Sequence, residues 1–409
     1  MSQSNRKKKL VFYGAFDRYN YGDLLMPTLF RMFVDKFAPQ LLAEYEIIYS
    51  SISDSNLNGV GGNPTISMGK VGKDLAEGSV ILLVGGAVLG AEAESQFLYS
   101  LGSKEEFEFY HRLKKESCIK FQKTVATRFD IGWSHPYTLG KSLFESDTKI
   151  IYNAVGGRMR AGKLSLADEC YERLHTADYV SVRDRTVLKG LQEKGFNNCI
   201  LSPDSAAIMA EFVDDEFLEK RIPSQIRKQL PGRYFVFQAA PHKLDRDLEL
   251  VQRSLMEIKD RTNCEIVLLP VGYATGHDDS IVLNELAIKL GGHAKFMQNL
   301  SVWEIIYIIK NSAGLLGTSL HAIITAICYQ KPHIALSAKV PKLKSFLSTW
   351  GFLPYNASYS INETAAISKL INEPPRRELF ELAEKVRRLV IVNNHKIVDV
   401  IAGSDGLAP

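Results

Sequence analysis

The chain has 409 residues, and its 50 lysines and arginines against 46 aspartates and glutamates give a formal net charge of +4. This near balance argues against a protein built as a nucleic-acid clamp and also against an acidic disordered chain. Hydrophobic residues make up 45% of the chain and charged residues 23%, which is typical of a globular protein. The length of the chain predicts two or three domains. The five cysteines include no CxxC pair, so we expect a reducing compartment and no zinc site.

Residues 1–8 are basic and are followed by a short apolar run and then by polar residues. A secretory signal needs a longer apolar region with a small-residue cleavage site. The longest apolar run, Val80–Gly90, is about half of the ~20 residues that a membrane-spanning helix needs. We therefore interpret residues 1–8 as a solvated tail, with weak attraction to anionic lipid head groups as the alternative. We expect a cytoplasmic protein without a membrane-spanning helix.

Apolar runs alternate with amphipathic patterns through residues 9–215, the predicted N-terminal lobe. A helix is predicted over Leu24–Phe37, and a second from its N-cap Asp184 to about Lys194. An aromatic-rich insertion, residues 92–136, either packs as an ordinary subdomain or shapes an acceptor site. The predicted strands of this lobe are Leu10–Tyr13, Val80–Val84, Lys149–Val155 and Tyr179–Val182.

Residues 233–374, the predicted C-terminal lobe, repeat this pattern after a charged linker, residues 216–232. Residues 375–409 are expected to form one long helix, Pro375–Ile401, and a tail. The predicted strands are Tyr234–Gln238, Cys264–Pro270, Gly314–Gly317 and His333–Ser337. The predicted helices are Asp245–Thr262, Asp279–Leu290, Val302–Lys310, His321–Tyr329 and Lys342–Trp350.

Continuous apolar strands that alternate with amphipathic helices indicate parallel sheets covered on both faces. We therefore predict an α/β protein of two Rossmann-type, doubly wound lobes with a cleft between them. In such sheets ligands bind beyond the carboxyl ends of the strands. The residues that follow the predicted strands are therefore the candidates for a functional site.

Three glycine-containing strand exits are candidates in the first lobe. The first contains Asn20, Gly22 and Asp23 before a helix, where free amides suit an anion, although Asp23 is equally suited to capping the helix. Its spacing is not that of a dinucleotide fingerprint. The others are Gly85-Gly86 and Gly156-Gly157, which permit close approach of a ligand or, equally, tight packing.

Polar residues follow other strands of both lobes. Arg183 suits a carboxylate or phosphate, with a surface ion pair as the alternative, and Asp204 is either a turn residue or a group that orients a base. In the turn Gly317–His321, His321 lies at a helix start and is a candidate acid or base, with a buried structural histidine as the alternative. His277 precedes Asp278-Asp279. These residues are either a polar ligand cluster or, as the alternative, the cap of the helix that begins at Asp279.

The ordered set of segments resembles the polysaccharide pyruvyl transferase family. The segments are FYGAFDRYNYGD (12–23), ILLVGGAVLG (81–90), IYNAVGG (151–157), YVSVRDRTVLKGLQEKG (179–195), SPDSA (202–206) and LLGTSLHAIITAICYQKPHIAL (315–336). The resemblance spans roughly residues 12–352. It implies a GT-B-like fold with the active site between two lobes. It also implies transfer of the enolpyruvyl group of phosphoenolpyruvate to a sugar, usually as a pyruvate ketal.

Carried onto this chain, the resemblance implies that Arg183 binds phosphoenolpyruvate and that His321 is the acid or base. Some members have an arginine two residues before that histidine and others a serine, which here is Ser319. Lys339, Lys342 or Arg158 is then expected to supply the missing charge. No cofactor or metal is expected besides phosphoenolpyruvate as co-substrate.

The implied partner is a saccharide or lipid-linked oligosaccharide acceptor, with at most peripheral membrane association and a homo-oligomer left open. Two alternatives remain open at this stage. One is a nucleotide-sugar glycosyltransferase of the same fold, with Asp278 or Asp279 on the ribose, and the other is a non-catalytic scaffold in polysaccharide assembly.

Overall fold

The computed structural model describes residues 7–101, 103–160, 163–241, 243–244, 247–275, 278–336 and 340–403. The strands are β1 Lys8–Tyr13, β2 Tyr45–Ser51, β3 Ile66–Ser67, β4 Val80–Leu83, β5 Lys149–Val155, β6 Met159–Arg160, β7 Lys163–Leu164, β8 Tyr179–Val182, β9 Ile200–Leu201, β10 Tyr234–Gln238, β11 Glu265–Leu268, β12 Ala294–Phe296, β13 Gly314–Gly317, β14 His333–Leu336 and β15 Ser358–Tyr359.

The helices are α1 Tyr21–Phe37, α2 Leu41–Glu44, α3 Met68–Gly72, α4 Ala93–Tyr99, α5 Lys104–Glu116, α6 Cys118–Phe129, α7 Asp168–His175, α8 Arg185–Gln192, α9 Asp215–Glu219, α10 Ser224–Gln229, α11 Leu248–Thr262, α12 Asp279–Leu290, α13 Val302–Lys310, α14 Leu320–Cys328, α15 Pro341–Trp350, α16 Thr364–Asn372 and α17 Arg376–Ala402. None of them is long and apolar enough to cross a membrane.

Two parallel sheets form the cores of two lobes. The first has the strand order β3-β2-β1-β4-β5-β8-β9 and the second the order β12-β11-β10-β13-β14-β15. In each sheet the strand order reverses beside the strand that comes first in the chain. The reversal lies between β1 and β4 in one sheet and between β10 and β13 in the other. Their central strands are buried throughout, as the continuous apolar runs predict. The α/β architecture of two doubly wound lobes is therefore confirmed.

Several predicted boundaries differ from the structure. Helix α1 begins at Tyr21, three residues before the predicted start, and α11 begins at Leu248, three residues after the predicted start, with Asp247 as its N-cap. Strand β11 is shorter than the predicted Cys264–Pro270 because only its central residues pair with neighbouring strands. Helix α10 and most of α9 lie within the predicted linker. Asp184 caps α8, as predicted.

The C-terminal helix α17 crosses back onto the first lobe. The side chain of Asn153 in β5 hydrogen-bonds to both Asn393 and Asn394 of α17, and Tyr179 Oη donates to Asn393. Nζ of Lys149 donates to the carbonyl of Val400 near the helix end. This buried polar contact ties the last helix to β5 and β8, the strands that lead to Gly156 and Arg183.

Candidate active site

A cavity of about 220 Å³ lies between the two lobes. Its walls come mainly from the segments after β1, β4 and β8 in the first lobe and after β10, β11, β13 and β14 in the second. These are the carboxyl ends of the strands, next to the points where the strand order reverses. Doubly wound sheets bind their ligands at such points, so this cavity is the candidate active site.

The loop after β1 joins the lobes beside the cavity. Asn20 forms an isolated antiparallel bridge with Gly272, and the amide of Tyr21 donates to the carbonyl of Val271 at 3.0 Å. Asn20 and Asp23 both line the cavity, at the predicted position. The second lobe therefore holds this loop in place through backbone hydrogen bonds.

Arg183, Asp204 and His321 meet at the cavity wall. The Arg183 side chain is 1% exposed, and its Nη1 donates to Oδ2 of Asp204 at 2.9 Å. His321 is in the first turn of α14, and its Nε2 lies 3.7 Å from the same oxygen. Burial favours the neutral acid, but His321 and Arg183 outweigh it and lower the pKa of Asp204 far below its ordinary value. Asp204 is therefore a carboxylate that faces the Arg183 guanidinium and the His321 imidazole.

Two nitrogens of this group are buried without a hydrogen-bond partner in the described part of the chain, Nε of Arg183 and Nε2 of His321. Both side chains line the cavity. Buried polar groups in native proteins are nearly always hydrogen-bonded, so free nitrogens at a cavity wall indicate the place of a ligand. A guanidinium suits phosphate or carboxylate, and an imidazole exchanges a proton near neutral pH.

Gly22 and Gly156 leave room for these two side chains. A β-carbon on Gly22 would lie 1.9 Å from Nδ1 of His321, and one on Gly156 would lie 2.6 Å from Nε of Arg183. Neither glycine is part of the cavity lining. The structure therefore places them behind the two side chains and not at the surface where they were predicted to bind substrate.

Gly85 and Gly86 are also set back from the cavity, whose wall at this point is Ala87 and Val88. Both glycines have positive φ angles, of 131° and 87°, which side chains rarely adopt. A β-carbon on Gly86 would lie 3.3 Å from Oδ1 of Asp23. Backbone conformation and packing therefore explain why glycine occurs at both positions. The two residues were predicted to bind substrate, but they do not line the cavity.

Lys243 and Lys342 form the basic side of the cavity in the second lobe. Neither has an ion pair within the described residues. Burial, together with the charges of Lys243 and Arg183, lowers the pKa of Lys342 to about 7. Burial also lowers the pKa of Lys243, although Asp279 opposes this effect. An anion bound here would favour the charged form of both lysines.

Gln238 fixes the turn that precedes His321. Its Oε1 accepts hydrogen bonds from the amides of Thr318 and Ser319 at 3.0 and 2.8 Å, and its Nε2 donates to Asp279 at 2.8 Å. Burial raises the pKa of Asp279 to about 6. Ser319 lines the cavity and also caps α14 through its hydroxyl. The turn therefore positions the start of α14 and, with it, the imidazole.

The expected role of Arg158 in binding substrate is not supported by its position, because its side chain forms an ion pair with Glu92 and does not line the cavity. His277 and Lys339 lie outside the described residues. The cavity also contains Arg18, which the sequence analysis did not single out and whose Nη2 donates to the Tyr137 hydroxyl at 3.2 Å.

One group of three possible metal ligands occurs in the described part of the chain, away from the cavity: His135, Glu169 and Cys170, with ligand atoms within 4.8 Å of one another. Glu169 already accepts hydrogen bonds from Ser134 and Arg173. These contacts account for the carboxylate without a metal, and the group is not part of the candidate active site.

A model of the polysaccharide pyruvyl transferase family matches residues 20–339, which is 320 of the 409 residues. The chain belongs to this family. The matched range contains Arg183, Asp204 and His321. It also contains both glycines that make room for them. A search of curated protein sequences finds no match.

The solved structures similar to this family member include UDP-GlcNAc 2-epimerases. The enzyme from Methanocaldococcus jannaschii in complex with UDP-GlcNAc and UDP has a TM-score of 0.53 at 11% identity, over 95% of this chain and 99% of that chain. The enzyme from Neisseria meningitidis bound to UDP-GlcNAc has a TM-score of 0.51 at 12% identity, over 97% of this chain and 100% of that chain. At such identities the similarity concerns the fold alone, and it confirms the GT-B-like arrangement of two Rossmann-type lobes.

Proposed function

We propose that the protein transfers the pyruvyl group of phosphoenolpyruvate to a sugar of a cell-surface polysaccharide or its lipid-linked precursor, forming a pyruvate ketal. The observation that carries this proposal is the set of cations around the cavity: Arg183, Lys243 and Lys342 beside His321. Phosphoenolpyruvate presents a phosphate and a carboxylate on three carbons, so a small cavity with several cations suits it. The membership of this chain in the polysaccharide pyruvyl transferase family supports the same activity.

The lysines offer a replacement for the arginine that is absent at Ser319. Lys342 and Lys243 form no direct ion pair among the described residues, whereas Arg183 is paired with the carboxylate of Asp204. The proposal assigns Nε of Arg183 and the two ammonium groups to the phosphate and carboxylate of the donor. Charge-assisted hydrogen bonds of this kind are the strong ones in proteins.

The chemistry needs proton transfers at two places. Protonation of C3 gives C2 oxocarbenium character, a sugar hydroxyl forms a bond to C2, and the bond from C2 to the phosphate oxygen breaks. A second hydroxyl of the sugar then bonds to C2 and closes the ketal. The two hydroxyls release two protons, of which C3 retains one and the phosphate the other. The reaction involves no net oxidation or reduction, so no redox cofactor is required.

We assign these proton transfers to His321. Its Nε2 has no hydrogen-bond partner in the described structure and lies 3.7 Å from Oδ2 of Asp204. A positioned acid or base typically contributes about 10²–10⁴ in rate. Arg183 and the lysines stabilise the charge on the departing phosphate.

Isothermal titration with phosphoenolpyruvate, and separately with UDP-GlcNAc, tests the proposal. The wild-type protein is expected to bind phosphoenolpyruvate, and Arg183→Ala is expected to weaken that binding by at least about tenfold. Lys342→Met tests the same cluster without breaking the buried Arg183–Asp204 pair. Binding of UDP-GlcNAc alone would favour the glycosyltransferase alternative, and binding of neither ligand would favour the scaffold.

A further inference from the structure

The corner between α5 and α6 holds a local excess of positive charge. Residues 112–128 contain six lysines and arginines and one glutamate, which gives this segment a net charge of +5. The whole chain carries +4, so the rest of it has a small negative charge. Lys114 pairs with Glu94, and the other five cations of the segment are exposed and have no ion pair within the described residues.

Two large apolar side chains are exposed beside these cations. Helix α6 buries the stripe Phe121, Val125 and Phe129, so Ile119, Lys120 and Lys123 lie on its opposite face. Ile119 is 69% exposed at the start of α6, and Phe109 in α5 is 53% exposed. Ile119 lies among the cations of α6 and suits the interface of a bilayer, whereas Phe109 follows the acidic residues Glu105, Glu106 and Glu108 of α5.

We propose that this corner docks the protein on an anionic lipid bilayer. Each lysine or arginine close to such a surface strengthens binding to it, and Ile119 adds burial in the head-group region. The exposed cations form no ion pairs within the described chain that docking would have to break. The charge of the corner thus determines the kind of partner, an anionic surface.

The corner belongs to a unit that also borders the active-site cavity. Helix α5 packs on α4 through Tyr110 and Phe97, whose rings are 4.8 Å apart, and Gln96 of α4 lines the cavity. Oγ1 of Thr275 in the second lobe donates to the carbonyl of Leu101, next to α4. The proposed docking surface is therefore connected to the cavity wall through α4, and we infer that docking gives the cavity access to lipid-linked sugars. That use of the surface rests on the proposed function, whereas docking itself does not.

Sedimentation with lipid vesicles tests the proposal. The wild-type chain is expected to sediment with phosphatidylcholine vesicles that contain about one third phosphatidylglycerol, but not with pure phosphatidylcholine. The triple variant K115E/K120E/K123E is expected to lose at least about tenfold in affinity. The matched control K228E/K295E/K344E makes the same change in net charge at exposed lysines elsewhere and is expected to keep binding.

Equal loss of binding in the two triple variants, or no binding by the wild type, would overturn the proposal. Ile119→Ser changes no charge and is expected to weaken vesicle binding severalfold, and unchanged binding would exclude insertion of this side chain. Phosphoenolpyruvate titration of each variant reports separately on the active site. If vesicle binding follows the prediction while no form binds phosphoenolpyruvate, the proposed function fails and the docking surface stands.

Discussion

Lys342 is the residue at which ligand binding and stability are most clearly opposed. Its ammonium group is held in the cavity near Lys243 and Arg183, and burial lowers its pKa to about 7. The carboxylates of Asp23 and Asp204 oppose this effect only in part. The protein therefore maintains a poorly stabilised cation at the place where we propose that an anion binds.

The first prediction concerns the pH dependence of phosphoenolpyruvate affinity. Lys342 loses its charge as the pH rises through about 7, so affinity is expected to fall between about pH 6.5 and 8.5. The phosphate of the ligand has a second pKa near about 6 and gains charge over this range, which would act in the opposite direction. Lys342→Arg stays charged and is expected to remove the fall. Titration calorimetry in both proteins would contradict the account if their profiles coincide.

The second prediction concerns the stability of the ligand-free protein. A lysine of the unfolded chain has a pKa of about 10.4, above that of folded Lys342, so the unfolded state binds more protons between these values. Lys342 is therefore most destabilising below about pH 7, and its cost declines as the pH rises. Lys342→Met is expected to raise the melting temperature by a few degrees at pH 6 and by less at pH 9. An equal or reversed effect at the two pH values would contradict this interpretation.

At the scale of elements, the strand ends and helix starts set the positions of the reactive side chains. Strand β8 ends directly before Arg183, and the Gln238 contact fixes the turn before α14. Gly156, after β5, is the neighbour that leaves space for the guanidinium. Gly156 contributes to the site because it has no side chain that would displace the guanidinium.

The third prediction tests this close packing. Gly156→Ala places a methyl group 2.6 Å from Nε of Arg183, too close for both to stay in place, so phosphoenolpyruvate affinity is expected to fall at least about tenfold, with some loss of stability. Gly232→Ala is a matched control because a β-carbon there meets nothing within 4 Å. Titration calorimetry and thermal unfolding of both variants check this, and equal affinities would show that Arg183 tolerates the displacement.

At the scale of the whole molecule, the two-lobed architecture followed from the sequence because buried parallel strands leave continuous apolar runs. Strand β5 has the bounds predicted for it, whereas β2, with its mixture of apolar and polar residues, was missed. The strand-end rule located Arg183 and His321 but not the direction of a side chain, which is why Arg158 was misplaced. Lys243 lies after the end of β10, so the strand-end rule applies to it as well. Whether it lines the cavity depends on how the two lobes pack together, which the sequence pattern does not show.

The return of α17 to the first lobe had no local signal either. Its buried asparagines are ordinary polar residues in the sequence, and their partner Asn153 is more than two hundred residues away. Long-range polar contacts of this kind leave no periodic pattern. The family, in contrast, was recognisable because its motifs occur in a fixed order along the chain.

The central claim is that the cavity between the lobes binds phosphoenolpyruvate through the cations around it. The most direct measurement is isothermal titration of phosphoenolpyruvate into the wild-type protein and the Lys243→Met/Lys342→Met variant at pH 6.5. The account predicts binding by the wild type and a loss of at least about tenfold in the folded variant. Equal affinities in the two proteins, or binding of UDP-GlcNAc with none of phosphoenolpyruvate, would contradict it.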